Sequence, residues 1–229
     1  MALLSIAVLV AAEVCGYGAA HVLYPHFRAL APPGDPELFA TGHTGLFLSL
    51  HQLAAAPVGV LVIAGLLWLH PQPIRTFVGR LGFQPREAAV WGGALAAAWL
   101  AAQAASQILG QPLVWEWVLA VYATRGSTLL FWLAVVVAAP VFEELLFRGF
   151  LQRGLIAASV RPAWAIVLST AAFTVLHIQY DALALALVFA SSLILGAAYH
   201  RTGSIGLAVG LHALINTAGT GAVHYALYH

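Results

Sequence analysis

Three short stretches of this chain carry side chains that can move protons. They are Phe142 to Gly149 (FEELLFRG), with Glu143, Glu144 and Arg148; a stretch holding His177; and one holding His212 and Asn216. A carboxylate and an imidazole together can hold and deprotonate a water, while a second imidazole and an amide can donate hydrogen bonds to the oxyanion of a tetrahedral intermediate. Glu143, His177, His212 and Asn216 would therefore suffice to hydrolyse a peptide bond. Glu143, His177 and His212 could equally ligate a zinc ion, so zinc-dependent and metal-independent chemistry both stand. Taken singly, a histidine in a helix more often packs or bonds to a neighbouring helix; the conjunction carries the argument.

Spacing constrains the arrangement. Successive helical residues are about 100° apart, so Glu143 and Glu144 cannot both face one point, whereas Glu144 and Arg148 stand at i and i+4 on one face. Glu144 with Arg148 reads as an intrahelical ion pair neutralising a buried charge. Glu143 is left without a local cation, and a carboxylate out of water is suited to general-base work. Glu143 and His177 each lie 17 residues from position 160. There Arg161-Pro162 is a natural turn, because proline pushes the preceding residue out of the helical region. Antiparallel helices about that turn bring the two level, roughly 25 Å from it, while His212 lies about 13 Å into a helix starting near Ser204. The mismatch of about 12 Å requires the hairpin, with Arg153 and Arg161 near its tip, to protrude. His212 and Asn216 are again at i and i+4.

The elements that must hold these groups are membrane spans. With 7% charged and 62% hydrophobic residues, the chain is far from a soluble domain, which is about a quarter charged. Stretches near 2–23, 46–69, 88–110, 128–157, 162–179, 182–200 and 204–228 approach or exceed the roughly 20 apolar residues that cross a bilayer. The expectation is an all-α polytopic transmembrane bundle of about 7–8 spans. Residues 1–127 would supply N-terminal helices of the same membrane domain that carries the reactive helices in 128–229. Alternating the loops puts Arg75, Arg80, Arg86, Arg153, Arg161 and Arg201 on one side, cytoplasmic by the positive-inside rule, and the N-terminus with them. Nine arginines against eight acids leave no polybasic face, so nucleic acid is excluded as a partner. Cys15 reads as a packing residue, Trp115 and Trp117 as interface anchors, and Pro32 to Glu37 as a proline-broken loop.

Three motifs in order, Glu143-Glu144-x-x-x-Arg148, Phe173-x-x-x-His177 and His212-x-x-x-Asn216, with FRGFLQRGL and YHRTGSIGLAVGLHALINT around them, resemble the CPBP family. These are the CAAX proteases and bacteriocin-processing enzymes, also called Abi intramembrane endopeptidases, and the likeness covers roughly residues 138 to 219. The resemblance implies that Glu143 and His177 activate the water, that His212 and Asn216 form the oxyanion site, and that Glu144, Arg148 and Phe173 support it. It also implies a membrane-associated or lipidated protein or peptide as substrate and a multi-pass protein of the bacterial cytoplasmic membrane. The family is commonly labelled metalloprotease, and a glutamate-dependent reaction without catalytic metal has also been argued for it.

Other intramembrane proteases fit less well. There is no HExxH, Tyr180-Asp181 lacks a second aspartate partner, and Gly203-Ser204-Ile205-Gly206 is not a GxSG. A proton-coupled transporter could use the same buried glutamate and histidines as a relay, and a non-catalytic scaffold could bind peptides with them. Glu13, His51 and Gln103 read as interhelical hydrogen-bonding groups.

Overall fold

The computed structural model describes residues 2–30, 44–112 and 116–229. Besides the 3-10 turn Arg28–Leu30, nine helical stretches order these described residues: α1 (Ala2–Phe27), α2 (Gly45–Trp68), the short α3 (Ile74–Val78), α4 (Pro85–Leu109), α5 (Glu116–Ala123), α6 (Thr128–Ala157), α7 (Pro162–Val175), α8 (Ala182–Thr202) and α9 (Ile205–Tyr228). Six of them, α1, α2, α4, α6, α8 and α9, are long and apolar enough to cross a membrane. The chain is an all-α, polytopic membrane protein. The fifth expected stretch, 162–179, is the shorter apolar helix α7 of 14 residues, because the chain leaves the helix after Val175. The Pro32 to Glu37 loop and Trp115 lie outside the described residues.

Lipid explains a surface that water would not tolerate. Leu3, Trp68 and Ile108 are 83%, 79% and 84% exposed, and α4 buries only 6% of its most apolar window. Cys15 is exposed on α1, which corrects its reading as a packing residue.

The core gathers around α6. Phe142, Leu146, Phe147 and Phe150 pack with Val8 and Ala12 of α1, Ala55 and Ile63 of α2 and Phe173 of α7. A Cβ at Gly59 would collide with the Phe142 ring, so glycine there lets α2 lie against the turn of α6 that bears Glu143. A second cluster joins Leu95 of α4, Leu195 and Ala198 of α8, and Leu207 and Leu211 of α9. Between α1 and α2, His51 Nε2 stands 3.2 Å from a Glu13 carboxylate oxygen, an interhelical pair as expected.

α6 is not a uniform α-helix. Leu133–Ala138 and Leu145–Gln152 are π-helical and bracket the regular turn Ala139–Glu144. Such wide turns recur at functional sites.

The segment after α3 holds the α8–α9 corner. Arg80 N–H donates to the Gly203 carbonyl at 2.9 Å, Ser204 Oγ donates to the Gly82 carbonyl at 2.9 Å, and the Tyr199 hydroxyl donates to the Phe77 carbonyl. Gly203 sits at φ +65° as the left-handed cap of α8, which lets α9 start at once with Ser204 capping Leu207 N–H. The register of α9, and so the height of His212, follows from this corner.

Candidate active site

Glu144 lies in the turn between the two π-helical segments with no solvent exposure, while Glu143 beside it keeps 21% of its side chain exposed. The expected ion pair forms: Arg148 Nε is 3.1 Å from Glu144 Oε2, and both groups are buried. Arg148 continues to α8, where Nη2 donates to Ser192 Oγ at 2.9 Å and to the Ser192 carbonyl at 3.1 Å. One turn further on, Gln152 Nε2 donates to the Gly196 carbonyl at 3.0 Å. The guanidinium also lies 5.1 Å from the Phe173 ring centre. α6 is thus tied to α8 by a polar ladder with a full charge at its head.

His212 alters the expected division between the two glutamates. Its Nδ1 is 2.8 Å from Glu144 Oε1 and its Nε2 is 3.6 Å from Glu143 Oε2. Neighbouring carboxylates about 100° apart cannot point the same way, but an imidazole has nitrogens on opposite sides and bridges the angle. With Glu144 paired to Arg148, Nδ1 is the donor to Glu144, which leaves Nε2 toward Glu143. This contact also removes the depth mismatch of about 12 Å expected from ideal helices.

His177 is not inside a helix. α7 ends at Val175, and His177 follows in the turn, half-buried. Its Nδ1 lies 3.0 Å from the Phe173 carbonyl. A carbonyl only accepts, so Nδ1 carries a proton, and Nε2 is the nitrogen left to face the site, an acceptor in the neutral ring. The Phe173-x-x-x-His177 spacing is what brings that carbonyl within reach. Phe173 also touches both imidazoles, with ring centres 4.6 Å from His177 and 5.8 Å from His212. Glu143 is within electrostatic reach of His177, His212, Glu144 and Arg148.

Asn216 does not join this cluster through a hydrogen bond to its members. Its amide donates to the Val135 carbonyl of α6 at 2.8 Å. Nor is the zinc set assembled: among the described residues no three His, Cys, Asp or Glu side chains stand close enough to share a metal ion.

Tyr180 was missed. Its backbone N–H donates to the His177 carbonyl at 3.0 Å, and its ring lies 5.6 Å from those of His177 and Trp117. Trp117, expected as an interface anchor, thus packs toward the site. Burial, and after it the charge of Glu143, push the Tyr180 phenol up to about 12, so it remains a hydroxyl donor at physiological pH. Only its place three residues after His177 could have signalled it.

No curated protein and no solved structure matches the chain. Residues 125–218 match the family described as Type II CAAX prenyl endopeptidase Rce1-like. This stretch contains Glu143, Glu144, Arg148, Phe173, His177, Tyr180, His212 and Asn216. Over this stretch the chain is similar to the CAAX-type intramembrane endopeptidases of the CPBP family.

Proposed function

We propose that this protein hydrolyses a peptide bond of a membrane-associated or lipidated protein or peptide, at a water activated by Glu143 and His177. The observation that supports it most is His212 held between Glu143 and Glu144, with His177 presenting a bare Nε2 within reach of the same glutamate.

In this reading the water lies between Glu143 and His177 Nε2. Glu143 takes its proton as hydroxide attacks the scissile carbonyl, and then returns the proton to the leaving amine. Protonated His212 Nε2 donates to the oxyanion, while the Glu144 carboxylate at Nδ1 stabilises the imidazolium. Glu144 is in turn neutralised by Arg148. The glutamate-type reaction is favoured over the metallo-type by the non-converging donors. In this reading the protein sits in a bacterial cytoplasmic membrane, and the arginine-bearing loops favour a cytoplasmic N-terminus.

The test compares new protein N-termini by mass spectrometry in membranes of cells making wild type or Glu143→Gln at equal levels. Ends present only with wild type are expected, and they would identify the substrate. No difference between two correctly inserted proteins would overturn the reading and return weight to a transporter or scaffold.

A further inference from the structure

Residue 140 is a proline in the middle of a membrane span. In the preceding π-helical stretch the backbone pairs over five residues, and the Ala139 N–H is directed to the Ala134 carbonyl. The next donor in that register, for the Val135 carbonyl, would be the amide of residue 140. Proline has none. A carbonyl without a donor at membrane depth costs several kcal/mol, and the side chain that meets it is Asn216, whose Nδ2 donates to it at 2.8 Å.

We infer that Asn216 stands in for the backbone donor that Pro140 lacks, pinning α9 to α6 one turn from His212 and thereby setting where His212 points between Glu143 and Glu144. Asn216 is then a positioning residue. The proline-induced gap is what selects a side chain with an N–H at that place, since an aspartate of the same shape has none to give. The inference rests on the endopeptidase reading only in treating His212 as part of the machinery.

The gap can be closed from the other side. Pro140→Ala restores a backbone N–H five residues after Val135, so it should relieve the need for Asn216. Asn216→Ala alone is expected to lower cleavage roughly tenfold or more, a typical loss when a partner of a buried polar group is removed, and to lower the thermal midpoint in detergent. Pro140→Ala with Asn216→Ala should recover most of both losses. A double variant as inactive as Asn216→Ala, with Pro140→Ala itself active and stable, would overturn the inference by showing that Asn216 serves the substrate directly. The thermal comparison is repeated in Glu143→Gln, where no cleavage enters. There Asn216→Ala should lower the midpoint when Pro140 is kept and much less when Pro140→Ala is also present, and equal drops in the two backgrounds would also overturn it. Because this arm needs no activity, it stands or falls separately from the proposed reaction.

Discussion

Glu143 and Glu144 are chemically identical neighbours with different surroundings, and substitution should separate them. Glu143→Gln is expected to abolish cleavage while leaving insertion and thermal stability near wild type, because Glu143 keeps partial exposure and no guanidinium depends on it. Glu144→Gln strands the buried Arg148 guanidinium. Breaking a buried pair in this way costs about 3–5 kcal/mol, so folded yield and thermal midpoint should fall along with activity. A fully stable Glu144→Gln protein would contradict the role given to the pair. His177→Ala removes a group expected to contribute about 10²–10⁴-fold to turnover, measured on purified protein with the substrate found by N-terminal mapping. Chelation should leave cleavage intact; loss with a chelator and recovery with zinc would reverse the argument from donor geometry. Tyr180, whose phenol rises from 10 to about 12, is neutral below that range. The stability its burial lends the neutral form is therefore present below pH 10 and lost between 10 and about 12. Tyr180→Phe should leave the alkaline limb of the activity profile unchanged below pH 10, which a rate profile would check.

At the level of elements, the site depends on close helix contacts. A Cβ at Gly206 would run into the Leu81 carbonyl. Gly206→Ala should therefore destabilise by about 1–3 kcal/mol, seen as a lower thermal midpoint, with cleavage reduced because the start of α9 moves. These contacts were only partly legible in the sequence. The i, i+4 pairing of Glu144 with Arg148 follows from helix geometry and appears as expected. The bridging of both glutamates by His212 does not, because it depends on a side chain from a helix 68 residues away. The π-helical turns cannot be read from a 3.6-residue pattern, but Pro140 inside an apolar run was a visible sign that some carbonyl of α6 would need an outside partner. His177 was placed inside a span because the apolar run does not stop where α7 stops.

For the molecule as a whole, six long apolar helices were legible from composition and length alone, since lipid imposes one pattern on every span. What the sequence could not supply was how the first helices serve the last. Val8, Ala12, Ala55 and Ile63 share one core with Phe142, Phe147 and Phe173. Residues 128–229 expressed alone should consequently fail to give monodisperse, cleavage-competent protein, as size-exclusion chromatography in detergent would show.

The pairing of Glu144 with Arg148 within one turn of a single helix bears on biosynthesis. Each uncompensated charge at the centre of a segment passing through the translocon opposes its entry into lipid by about 2.5–3.5 kcal/mol. α6 brings its own counter-charge, so that part of the opposition is cancelled before α8 and α9 have left the ribosome. His212 emerges later, and until it arrives Glu143 has no imidazole beside it from α9. The nascent protein thus passes through a stage at which the glutamate–histidine cluster is unassembled, and the cluster is complete only when α9 is in place.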